Sequence, residues 1–152
     1  MIQTAKYDRK VYVFKALAQA ALPLLLAQRN GAPLPDLLIP IPMSPAKQQT
    51  RGFNQAEVIG TIFSAALGTP CQTTLNRQGK QQTQAGLTRA ERLGNLNNAF
   101  ILGQPLNCSR IALIDDVVTT GATLTAAAQV IHKAHPQVTI EGWALARTPT
   151  PS

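Results

Sequence analysis

One stretch holds the densest chemistry in the chain: Ile111-Ala-Leu-Ile-Asp-Asp-Val-Val-Thr-Thr-Gly-Ala-Thr-Leu124. Residues 110–114 predict a buried strand with two adjacent carboxylates, Asp115 and Asp116, at its carboxyl end. A short loop carrying Thr119, Thr120, Gly121 and Thr123 then feeds a helix expected over 122–134. In open α/β sheets ligands bind at the carboxyl ends of strands. A helix N-terminus offers free N–H groups and partial positive charge to an anion. Gly121 lets the backbone come close, and three threonine hydroxyls add donors, so one phosphate suits this loop. Two acids beside a phosphate should repel it, unless the ligand also carries hydroxyls and arrives with a divalent metal. Vicinal ribose hydroxyls can each donate to a carboxylate in a charge-assisted bond, and magnesium prefers oxygen ligands and substrate phosphates. The residues therefore point to a ribose 5-phosphate, with its phosphate in the loop and its hydroxyls on the acids.

Competing readings fail on spacing. No G-x-x-x-x-G-K-[ST] run and no G-x-G-x-x-G run occurs. A receiver domain needs a later phosphoacceptor aspartate, and no Asp follows Asp116. His132 and His135 lie near the end of the last predicted helix, where cations meet the helix dipole favourably. They have no acid or cysteine beside them to complete a metal site.

The elements that must position these residues alternate along the chain. Residues 11–29 have helical apolar spacing, with Pro23 as a kink or break. The apolar run 37–41, bounded by prolines, predicts a buried strand. Asn54-Gln55-Ala56-Glu57 is a capping box opening a helix to about Leu67. A strand is expected over 71–75 and a long mobile loop over 77–86. A second capping box, Thr88-Arg89-Ala90-Glu91, starts a short helix, and strands are expected over 99–102 and 138–146. Strands alternating with helices imply a mostly parallel twisted sheet with helices on both faces. The 152 residues suit a single domain with a frayed tail over 148–152.

Composition narrows the class. The chain is 45% hydrophobic but only 14% charged, and its net charge is +7. Such an excess favours polyanions; it is concentrated in Lys6, Arg9, Lys10 and Lys15, and again in Arg77, Lys80, Arg89 and Arg92. Cys71 and Cys108 are too few for a four-cysteine zinc site or a disulfide framework. A basic start followed by the apolar run 16–27 looks like a signal peptide. That run contains Gln19 and Pro23, lacks a clean cleavage site and is too short to span a bilayer. It reads as a partly buried helix of a cytoplasmic protein that does not enter a membrane.

Residues 111–124 resemble the signature for 5-phosphoribosyl 1-pyrophosphate (PRPP) in type I phosphoribosyltransferases. Ile39-Pro-Ile-Pro-Met43 followed by Arg51-Gly-Phe-Asn-Gln55 is similar to one subgroup, the competence protein F (ComF) family. Gln81-Gln-Thr-Gln-Ala-Gly-Leu-Thr-Arg-Ala-Glu-Arg92, with Asn95 and Ala99-Phe100, fits that family too. The resemblance implies that Asp115 and Asp116 hold the ribose hydroxyls. By the same resemblance, residues 119–123 (Thr119, Thr120, Gly121, Ala122 and Thr123) hold the 5-phosphate. The turn from Met43 to Lys47 would face the pyrophosphate, with Arg51 as a candidate cation. Residues 77–86 would close over the site, where Arg77 and Lys80 would meet the leaving group.

A Mg2+-dependent transfer of a phosphoribosyl group to an unknown, nucleobase-like acceptor is expected. The magnesium arrives on PRPP and contacts at most Asp115 or Asp116. The alternatives are a non-catalytic PRPP- or nucleotide-binding regulator and an accessory protein of DNA uptake and utilisation. With one Trp, few other aromatics and no basic–aromatic interleaving, direct DNA binding is expected to be weak or absent. A homodimer is left open. Members of the family commonly begin with a cysteine-rich zinc ribbon, and this chain starts after it, so it reads as a short form or a fragment.

Overall fold

The computed structural model describes residues 2–78 and 99–149. Its elements, in chain order, are helix α1 (Ile2–Gln28), strand β1 (Leu37–Pro40), helices α2 (Pro45–Arg51) and α3 (Gln55–Leu67), and strands β2 (Leu75–Arg77), β3 (Phe100–Leu102) and β4 (Arg110–Val118). Helix α4 (Ala122–Ala134) and strand β5 (Thr139–Arg147) complete them. The central sheet is parallel in the order β1-β4-β5, and an isolated parallel bridge from Cys71 to Leu38 extends it on the far side of β1. β2 and β3 form a separate antiparallel pair.

The pleat sorts the core into two layers, because alternate residues of a strand face opposite sides. Leu37, Ile39, Ile111 and Leu113 face α4 and the β2–β3 pair, packing with Ala127, Ile131, Leu75 and Phe100. Leu38, Ala112 and Ile114 face the other way and pack with Ile59 and Phe63 of α3, Ala18 and Leu22 of α1, and Trp143. α3 lies close to the sheet edge: a side chain at Gly60 would meet Cys71 Sγ at 2.8 Å.

Several sequence expectations are corrected here. α1 begins well before residue 11 and runs unbroken through Pro23. It presents apolar residues on two sides: Ala18 and Leu22 are buried, while Tyr12, Val13, Leu17 and Leu24 are exposed. Residues 8–28 are long and apolar enough, by length and composition, to cross a membrane. Length therefore does not argue against a span, as the shorter run 16–27 did. What the fold shows is one side of the helix packed on α3 and β5.

The strand expected over 71–75 is only a bridge at Cys71, and the strand proper starts at Leu75. Arg77 belongs to β2, not to a loop, and the rest of the expected loop from residue 79 on, the second capping box and Asn95 lie outside the described residues. β4 is longer than expected and carries Asp115 and Asp116 within it.

α1 is fastened at its carboxyl end. Arg29 donates from Nη2 to Glu141 Oε1 at 2.7 Å and from Nε to Oε2 at 3.0 Å, and also bonds the carbonyls of Ala32 and Pro33. Glu141 Oε2 also accepts the indole N–H of Trp143 at 2.9 Å, and the Arg29 guanidinium stacks over that ring at 5.5 Å. The hydrogen bonds from Arg29 hold the Glu141 carboxyl below its ordinary pKa.

Candidate functional site

The site arises from a difference in strand length. β1 pairs with β4 only from Leu37 opposite Ile111 to Pro40 opposite Ile114, and the last bond is Ile41 N–H to the Ile114 carbonyl at 2.9 Å. The chain then turns away at Pro42, while β4 continues to Val118 supported by β5 alone. Asp115 and Asp116 thus stand beyond the end of β1, beside the space that β1 vacates. The pleat sets Asp115 on the face of Ile111 and Leu113 and Asp116 on the face of Ala112 and Ile114.

That space is a cleft of about 170 Å³. It is lined by Met43, Lys47, Arg51, Arg77, Asp115, Asp116 and Thr123, together with Asn54 and Gln55. The local sequence explains how distant residues converge there. Ser44 caps α2, its Oγ accepting from the Lys47 N–H at 3.4 Å, and Pro45 suits the first helical position. One turn separates Lys47 from Arg51, so both side chains share a helix face. Gly52 ends the helix with φ +79°, a conformation that favours glycine. Asn54 then caps α3: its Oδ1 accepts from the Ala56 N–H at 3.0 Å, and its Nδ2 donates to the Ile41 carbonyl at 3.0 Å. The expected capping box is thus met in its Asn54 half, and that residue also fixes the chain leaving β1.

Arg77 reaches the cleft from β2. Its Nε donates to the Pro42 carbonyl at 2.9 Å and its guanidinium lies 4.8 Å from the centre of the Phe100 ring. Burial lowers its pKa, and the charge of Asp115 works against that shift. Asp115 Oδ1 accepts from the Asp116 N–H at 2.8 Å, and Asp116 Oδ1 from the Val117 N–H at 2.9 Å. Burial chiefly, then the neighbouring Asp116, pushes the Asp115 carboxyl up to about 6, with Arg77 opposing.

A pH dependence follows from that shift. An acid whose pKa is raised by folding binds its proton more tightly in the folded state. Its contribution to stability is therefore full below about 4 and is lost as the pH rises through about 6. Asp115→Asn should melt at a higher temperature than the wild type at pH 7.5. The difference should shrink towards pH 4.5. Melting curves across that range check it, and equal pH profiles for the two proteins would remove the burial account of Asp115.

The predicted phosphate loop is only partly in the cleft. Gly121 precedes α4 in the left-handed region, at φ +81°, and its carbonyl accepts from the Thr125 N–H at 2.9 Å. Thr120 Oγ1 accepts from the Ala122 N–H at 3.3 Å. Thr123 lines the cleft. Thr119, Thr120 and Ala122 do not, and Gly121 lines a separate groove along β5. Lys80 lies outside the described residues. His135 ends α4, and its Nε2 accepts from the Leu106 N–H at 3.1 Å, so a structural role accounts for it. Sequence reasoning gave Asn54 a capping role and placed Asn54 and Gln55 in the family-like run 51–55 without assigning either a contact; their presence in the cleft depends on how β1, α2 and α3 meet.

Comparison with known proteins gives consistent relatives. The chain is 33% identical to the DNA utilization protein YhgH of Salmonella typhi and 34% identical to competence protein F of Haemophilus influenzae, in each case over 97% of its length. It covers 66% of each of those proteins, so it spans about two thirds of the relatives it matches. No family model matches it. Among solved structures, the allosteric regulatory enzyme of purine biosynthesis superposes with a TM-score of 0.51 at 16% identity, over 91% of this chain and 26% of that one. A purine phosphoribosyltransferase from Pyrococcus horikoshii superposes with a TM-score of 0.45 at 17% identity, over 95% and 77%.

Proposed function

The chain belongs to the competence protein F family, and from that membership we propose that its cleft binds Mg-PRPP and transfers the phosphoribosyl group to an acceptor with release of pyrophosphate. One observation carries the reading: Asp115 and Asp116, Thr123, and the three cations Lys47, Arg51 and Arg77 line the same small space. A ligand with hydroxyls at one end and anionic groups at the others matches that set. The relatives are named for competence and DNA utilisation, so in this reading the activity would serve that process.

In this reading the two carboxylates accept from the ribose hydroxyls. As pyrophosphate departs, the anomeric carbon gains oxocarbenium character, as in glycoside cleavage. Carboxylates beside the ring favour that charge more than they favour ground-state PRPP. Arg77, held by the Pro42 carbonyl and the Phe100 ring, meets the leaving group in a fixed orientation, with Lys47 and Arg51 beside it. Two adjacent hard oxygen donors fit magnesium; when bound, it would supply charge neutralisation at the diphosphate.

Isothermal titration with Mg-PRPP, followed by a pyrophosphate-release assay across nucleobases, tests this. Binding with release is the expected result, while binding without release for any acceptor moves the protein to a PRPP-sensing regulator. Single-stranded DNA should bind weakly and compete with Mg-PRPP, because both would use the cleft cations. Tight DNA binding that PRPP does not disturb, with log K falling by about 0.7 per phosphate contacted for each decade of salt, would transfer the function to another face.

A further inference from the structure

Two carboxamides stand side by side at the start of α3, both buried and both lining the cleft. Asn54 is committed to the backbone at both ends of its amide. Gln55 is different. It is 8% exposed, yet its carboxamide has no hydrogen-bond partner among the described residues. Among those residues the fully enclosed polar side-chain atom without a partner is Thr74 Oγ1. Gln55 Oε1 and Nε2 therefore keep an opening, and the opening that Gln55 lines is the cleft. An amide left unpartnered within the fold and open on the cleft side offers a donor and an acceptor to a ligand group there.

The neighbours select the chemistry of that group. Gln55 is the first residue of a 13-residue helix, whose amino end carries partial positive charge. Lys47 and Arg51 enter the same cleft from α2. Glu57, the acid in the first turn of α3, lines the neighbouring groove with Lys15 instead. A helix N-terminus and two cations favour an anionic oxygen, and only the Nε2 end of a carboxamide can donate to one. We infer that Gln55 is a ligand-contacting residue that donates from Nε2 to an oxygen of a diphosphate group, holding the diphosphate end of the substrate against the start of α3. The inference rests on the PRPP reading of the cleft and adds to it the residue that grips the leaving group from α3. Free pyrophosphate, PRPP and a nucleoside diphosphate share this chemistry.

Calorimetric titration of the intact chain with magnesium plus pyrophosphate, PRPP, ADP or ribose 5-phosphate tests the inference in wild type, Gln55→Leu and Gln55→Glu. Gln55→Leu should weaken pyrophosphate and PRPP alike by about tenfold, the effect of one hydrogen bond to a charged group. Gln55→Glu should weaken them further by repulsion, and ribose 5-phosphate should bind as before. Circular dichroism and melting identify any variant that fails to fold, and the other variant then carries the comparison. Unchanged pyrophosphate and PRPP affinity in a folded variant overturns the role of Gln55 and leaves the PRPP reading standing. An equal loss for ribose 5-phosphate overturns it too, because the residue would then act on the sugar end or on the cleft as a whole. If pyrophosphate or ADP binds and depends on Gln55 while PRPP does not bind, the diphosphate contact stands and the PRPP reading falls. A wild type that binds none of the four overturns both.

Discussion

Asp115→Asn combined with Asp116→Asn should abolish measurable Mg-PRPP binding under conditions where the wild type binds. Each lost bond is charge-assisted and worth about 1.5–3 kcal/mol, and the double variant loses two together with the local negative charge. The fold should survive. Neither acid belongs to the apolar layers on the two faces of the sheet, and both stand where β4 has outrun β1. Burial already disfavours the ionised form of Asp115, so its amide should not unfold the strand. Calorimetry with Mg-PRPP beside far-ultraviolet circular dichroism makes the check. Wild-type affinity with an intact spectrum would remove the acids from the site.

Gly121→Val is the second large effect. Apart from its chain neighbours, nothing lies within 4 Å of where a Cβ would sit, so crowding is not the difficulty. The difficulty is the backbone. At φ +81° an L residue costs about 1–2 kcal/mol, and a β-branched one sits at the unfavourable end. The turn that launches α4 should relax to another conformation, misdirecting the N–H groups at the head of the helix. Loss of PRPP binding together with a lower melting temperature is expected. Gly121→Ala should show the same signs more weakly. A lower melting temperature with full PRPP affinity would make Gly121 a structural residue only and put the phosphate elsewhere.

The contrast between these two positions shows what a linear pattern can carry. The strand, acids, glycine and helix of residues 111–124 are local features, and α4 starts and ends where the sequence predicts. The Asn54 cap is local too. What escaped was pairing. β4 reads as ending at Ile114 because Asp115 and Asp116 break its apolar run, yet β5 continues to bond it to Val118. Arg77 reads as part of a polar loop because its strand is three residues long and its partner, β3, lies more than twenty positions away. Asn54 and Gln55 look alike in sequence and separate only in space, once the carbonyl of Ile41 claims one and not the other.

The clasp between Arg29, Glu141 and Trp143 bears on how any of these measurements can be read by light. Trp143 is the single tryptophan of the chain. Its indole is edge-on to Phe63 at 5.9 Å, stacked under Arg29 and bonded to Glu141, and it lines no part of the cleft. Its emission therefore reports the seating of α1 on β5, and its quenching by iodide or acrylamide measures how often that end of the helix lifts. Trp143 does line the groove along β5 that Gly121 also lines, so a shift in emission during a titration reports a change at α1 or in that groove, and a silent titration says nothing against binding.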